Sequence, residues 1–154
     1  MLPRIIPMRL RIGREAFDDP AYLFELKHDG FRAIAYIEHA ECRLVSRNMR
    51  NLRYDSLQKA LAKLPIKDVI FDGEIVCLDD RGVSQFNQLL NRKAEPVFYA
   101  FDLLWHDGED LTQRPLIERK TECAELLRHR NAAVCFTRSI SESMERDSSR
   151  QFAR

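Results

Sequence analysis

The chain has 154 residues, enough for one domain with a real core or for part of a larger one. Hydrophobic residues make up 45% and charged residues 32%, a soluble, globular composition, and 25 Lys plus Arg stand against 24 Asp plus Glu. That balance rules out a global basic surface, so any nucleic-acid surface has to be local. Arg4, Arg9 and Arg11 break the N-terminal apolar residues into pieces too short for a signal-peptide core, and no later run approaches a membrane span, so a cytoplasmic protein with no membrane partner is expected.

In chain order, the first predicted element is a strand over residues 22–29. In it Glu25, Lys27 and Asp29 share one face, with Phe24 and Leu26 on the other. A lysine between two acids on a strand is ordinarily a solvated ion-pair surface, so these charges alone do not establish a site. Gly30 is read as the turn that follows. Two further strands, Phe31–Ile37 and Cys42–Arg47, joined by a short polar turn, form a meander. The period then changes. In "YDSLQKALAKLP", Leu57, Ala60, Leu61 and Leu64 recur at helical spacing, Asp55 and Gln58 resemble a capping box, and Pro65 ends the helix.

"DVIFDGEIVCLDDRG" predicts a strand leaving through an Asp-Arg-Gly turn, with Asp72 and Glu74 on one face. "SQFNQLLNRK" predicts a short helix capped by Ser84. The apolar run "PVFYAFDLLW" suits a strand buried on both faces, in which Tyr99, Phe101, Leu103 and Trp105 share a side. Pro115 stands at the expected first position of a helix with Leu116, Lys120, Cys123 and Leu127 along one stripe. "AAVCFTRSI" is a further strand and 141–154 a polar tail. Strands in meanders with helices between them argue for an α+β fold, not a doubly wound parallel sheet.

Neither the G-x-x-x-x-G-K-[ST] loop nor the G-x-G-x-x-G turn occurs. Cys42, Cys77, Cys123 and Cys135 have no metal-site spacing and read as reduced structural thiols. His28, His39, His106 and His129 are isolated and read as structural or surface groups. Three stretches remain, "ELKHDGFR", "FDGEIV" and "YAFDLLW", which put polar or aromatic groups where a plain core would use aliphatics.

Together with "SRN" at 46–48, these stretches resemble the motifs of the covalent nucleotidyltransferases, and most closely the adenylation domain of bacterial, repair-type ATP-dependent DNA ligases. The resemblance runs from about Pro7 to Arg128, leaving about 131–154 as a divergent tail. It implies antiparallel β-sheets with flanking helices in a nucleotidyltransferase (ATP-grasp-like) domain, with ATP and Mg²⁺ (or Mn²⁺) as cofactors and nicked double-stranded DNA as the partner.

By the same resemblance the Lys27 amine attacks the α-phosphorus of ATP and holds AMP as a phosphoramidate. The attack needs a neutral amine, although a free lysine titrates near about 10.4. The resemblance puts Glu25 at the edge of the adenine pocket, Arg32 near the sugar or phosphate, Glu74 on the ribose or a metal ion, and Phe101 stacked on adenine. Arg47 and Arg50 are candidate DNA contacts, in a run that also holds Arg43 and Arg53. The later E-G-[IV]-[VM] and K-x-K motifs of such ligases do not occur here, so the domain is expected to be incomplete at its C-terminal end. This expectation leaves open a second chain or domain that supplies them, half of a split enzyme, or a non-catalytic remnant that binds nucleotide or DNA. RNA ligases and capping-type guanylyltransferases are the alternative relatives.

Overall fold

The computed structural model describes residues 1–9, 13, 19, 21–128 and 133–136. The chain divides into two compact units, one containing Met1–Pro7 and His28–Phe136 and the other Met8–Lys27. In the second unit Asp19 accepts the Ala21 amide on Oδ1 at 2.8 Å and the Tyr22 amide on its carbonyl at 3.0 Å, closing a turn.

The first unit is a sheet whose described strands are β1 (Phe31–Glu38), β2 (Glu41–Ser46), β3 (Asn51–Leu52), β4 (Val69–Val76), β5 (Val97–His106), β6 (Glu109–Asp110) and β7 (Val134–Phe136). Six run antiparallel in the order β3-β2-β1-β4-β5-β6, and β7 pairs with β5 in parallel, which the all-antiparallel expectation had not included. The helices are α1 (Asp55–Leu61), α2 (Phe86–Leu90) and α3 (Leu116–Leu126).

The period-2 pattern of β1 and β4 gives the sheet two faces. Ala33, Ala35 and Ile37 of β1 and Val69, Phe71 and Ile75 of β4 join Leu57 and Leu61 of α1, Leu89 of α2 and Cys123 of α3 in the main core. Ile34, Tyr36 and Ile70 turn to the other face, where Leu2, Ile5, Met49 and Trp105 cover them. Tyr36 ties the N-terminal segment down, its hydroxyl accepting the Ile5 amide at 3.1 Å and donating to the Ile5 carbonyl at 3.2 Å.

Several expected details differ. Residues 23–29 are not a strand: β1 begins only at Phe31, and Leu26, placed on the buried side by the alternation, is 68% exposed. Alternation needs a ladder partner to become a strand, and none of the described strands pairs with this stretch. Gly30 lies at a bend just before β1, as expected, and also serves close packing, since a Cβ there would lie 2.1 Å from the Ile75 carbonyl oxygen. The Asp55–Gln58 box does not form. Tyr54 is the N-cap residue, and the Gln58 side chain accepts the Tyr54 amide at 3.1 Å while donating to the Cys42 carbonyl at 2.9 Å.

Ser84 does not cap α2, whose N-cap is Gln85, and Pro115 is the N-cap of α3 and not its first helical residue. Leu116 is 39% exposed, so the buried stripe of α3 is Lys120, Cys123 and Leu127. Of the strand expected over 132–140, Val134–Phe136 forms, Ala133 is a turn residue before it, and 132 and 137–140, like the 141–154 tail and His129, lie outside the described residues. Cys42, Cys77 and Cys123 are free thiols, and burial pushes the Cys42 thiol up to about 12, in keeping with an inert structural role.

Candidate nucleotide site

β5 departs most from its sequence pattern. Its ladder with β4 pairs Asp72 with Asp102 and then Gly73 with Ala100, leaving Phe101 as an extra residue, and a second irregularity skips Leu104. Leu103 therefore rejoins Phe98 and Ala100 in the main core and does not share a face with Tyr99 and Phe101. The run is not buried on both faces either, because Tyr99 and Phe101 are only half-buried. Gly73 permits the close approach at the bulge, where a Cβ would meet the Phe98 ring at 2.5 Å and the Tyr99 carbonyl oxygen at 2.6 Å.

The bulge brings together residues far apart in the sequence. Arg32 on β1 stands opposite Glu74 on β4 in register, and its guanidinium carbon lies 5.6 Å from the centre of the Phe101 ring. The Arg32 fork is fixed from below by Asp72, with Nε donating to Oδ1 at 3.1 Å and Nη2 to Oδ2 at 2.6 Å. The Arg32 side chain is 14% exposed and that of Asp72 5%, so the pair is shielded from water and its geometry is bidentate. Burial pushes the Asp72 carboxyl above the usual carboxylate range, against the opposing pull of Arg32, while the Asp72 bonds raise the guanidinium.

A second carboxylate clamp sits one strand over. Arg119 of α3 donates to Asp102 through Nε at 2.8 Å and Nη2 at 2.9 Å, and the neighbouring Lys120 donates to the Phe101 carbonyl at 2.7 Å. The extra residue in β5 is thus held through its own backbone by α3.

His28 is structural, as expected of it, but it stands within this neighbourhood. Its ring lies 4.0 Å from that of Tyr99, centre to centre, and Nδ1 is 3.2 Å from the Ser84 hydroxyl that had been expected to cap α2. Nε2 is buried with no hydrogen-bond partner among the described residues, and burial lowers the imidazole from its ordinary value. His106 pairs with Glu122 at 2.8 Å, while His39 sits at positive φ in the β1–β2 turn.

Of the residues singled out from sequence, then, Arg32, Glu74 and Phe101 gather on one part of the sheet. Glu25, half-buried, and Lys27, exposed, belong to the second unit, and Lys27 is joined by a peptide bond to the anchored His28. Arg47 and Arg50 are exposed in the turn between β2 and β3, which is closed by the Ser46 amide donating to the Arg50 carbonyl at 2.8 Å. Arg43 lies over the Tyr36 ring at 4.2 Å. Sequence reasoning missed Asp102, Arg119 and the pairing of Asp72. Their one signal was an acid inside each of two apolar strand runs, which has to be paired if it is buried.

Residues 10–153 match the family model described as the ATP dependent DNA ligase domain. The chain belongs to this family. It is 38% identical over 117 residues to the multifunctional non-homologous end joining protein LigD of Pseudomonas aeruginosa, covering 71% of this chain and 14% of that protein. The ligase domain of M. tuberculosis LigD superposes with a TM-score of 0.66 at 34% identity, over 75% of this chain and 39% of that one. A mycobacterial DNA ligase D complexed with ATP gives a TM-score of 0.64 at 33% identity, over 75% and 40%. The chain thus spans well under half of these ligases, and the matched part is that of an ATP-dependent adenylation domain.

Proposed function

We propose that this chain binds ATP on the Arg32, Glu74 and Phe101 part of its sheet and takes AMP onto Lys27, as the first step in sealing nicked double-stranded DNA. The observation that carries the reading is the convergence of those three side chains from β1, β4 and β5 at the family-matched motifs. A flat aromatic ring beside a preoriented cation suits a base and its sugar-phosphate, and Phe101 and Arg32 offer that pair. Glu25 would border the adenine. Asp72 fixes the Arg32 fork before ligand arrives, so little side-chain entropy is left to lose on binding.

Among the described residues no three His, Cys, Asp or Glu side chains gather as a metal cage, and both Asp72 oxygens are engaged by Arg32. This donor set fits an ion such as Mg²⁺ (or Mn²⁺) held by the phosphates of ATP with Glu74 as the one protein carboxylate. When bound, such an ion supplies positive charge against the phosphates. Lys27 would present the amine, lose its proton, and form the N–P bond as pyrophosphate leaves. Arg47 and Arg50, exposed on one turn, would meet DNA phosphates.

The test is intact-mass measurement after incubation with ATP and Mg²⁺. An AMP adduct that is absent in Lys27→Ala is the expected result. An adduct that survives the substitution would remove Lys27 from the role, and a chain that binds ATP but never forms the adduct would be a nucleotide-binding module.

A further inference from the structure

The buried stripe of α3 places a charged residue where an aliphatic one would pack. Lys120 stands in line with Cys123 and Leu127 and is only 5% exposed, yet its amine donates to the Phe101 carbonyl at 2.7 Å. Burying an ammonium group carries a desolvation cost that a leucine or methionine there would not, so the contact it makes has to matter. Phe101 is the residue that needs such a contact. As the extra residue of the bulge it falls out of the β4–β5 register, and among the described residues β7 pairs with β5 only as far as Ala100 while β6 begins at Trp105. Between these points side chains stand in for a neighbouring strand, with Lys120 on the Phe101 carbonyl and Asp102 Oδ1 accepting the Leu103 amide at 2.8 Å. What binds the peptide groups of a bulge sets its backbone angles, and those aim the side chain.

We propose that Lys120 is a positioning residue for base recognition: by holding the Phe101 carbonyl it fixes the bulge and sets the ring in the orientation that stacks on the nucleobase. The inference rests on the reading of Phe101 as the residue that stacks on adenine. Arg32 has its own seat on Asp72, so the phosphate side of the site does not depend on Lys120. The competing account is purely structural, with Lys120 satisfying a carbonyl and joining α3 to the sheet.

Two measurements on the full chain separate them. The first is fluorine NMR of para-fluorophenylalanine in place of Phe101, without nucleotide, where Lys120→Met is expected to shift or broaden the resonance. The second is calorimetry with Mg²⁺ at a temperature where the variants are folded, comparing ATP with inorganic tripolyphosphate, which has the phosphates and no base. Lys120→Met should weaken ATP about three- to tenfold and tripolyphosphate less than about twofold, because only the stacking contact is disturbed. In a Phe101→Ala background the same substitution should have no further effect on ATP. Where Lys120→Met does not fold, Lys120→Gln, a neutral donor of shorter reach, must show the same selective loss. A lower melting temperature with the fluorine resonance and the ATP affinity unaltered overturns the proposal, and so does equal weakening of both ligands. A parent chain that binds no ATP, with the fluorine resonance responding as expected, upholds the lock on Phe101 and removes the nucleotide reading instead.

Discussion

The second face of the sheet has two ends with opposite fates. At one end Ile34, Tyr36, Ile70 and Trp105 are covered by Leu2 and Ile5 of the chain's own N-terminal segment, and apolar burial does the work. At the other, on the same strands two to four residues away, Arg32, Asp72 and Glu74 stand with Phe101, and charge is held in place by paired charge. The apolar end contributes stability. The polar end tolerates a desolvation cost that packing alone would not require, and it is there that we propose the nucleotide binds.

The largest test of this contrast lies at the polar end. Arg32→Met removes the cation and leaves Asp72 buried without its partner, so a loss of roughly 3–5 kcal/mol is expected in urea unfolding at neutral pH, together with loss of ATP binding. Arg32→Met/Asp72→Leu should recover most of the stability and none of the binding. Ile34→Ala at the apolar end, fully buried, should cost roughly 2–5 kcal/mol while the folded fraction binds ATP unchanged. A change in affinity there would dissolve the distinction between the two ends.

The pH response sharpens it further. Burial lowers His28 from its ordinary value of 6.5, so the folded chain binds its proton less readily than the unfolded one. This contribution to stability is complete above that value and is lost as pH falls through the lowered folded value. His28→Phe should flatten that part of the melting-temperature profile while keeping a ring on Tyr99. The smallest expected effect is Tyr36→Phe, which removes two hydrogen bonds to Ile5 and should cost about 1 kcal/mol in denaturant unfolding, with no effect at the polar end.

The sequence carried more of the fold than of the site. Phe31–Glu38 and Val69–Val76 were legible because two rows of alternating side chains, each buried on a face, leave a strong period-2 signal. The 23–29 stretch carried the same alternation without a ladder partner, and the pattern misled. Short β3 and β6 left no signal, two residues being too few for a period. Within the site, Arg32, Glu74 and Phe101 were found through motif resemblance, whereas Arg119 sits in a helix whose visible pattern is its apolar stripe.

What the chain's residues determined by themselves is the order of strands and helices and the motif positions, since local period, turn chemistry and residue type are properties of neighbours in sequence. Only the tertiary structure decided that Phe101 falls at a bulge, that Asp72 and Asp102 meet across a ladder, and that an arginine 87 positions after Arg32 holds the second of them. A register irregularity and a buried ion pair are settled by what packs against a strand, and that partner is named nowhere in the strand's own sequence.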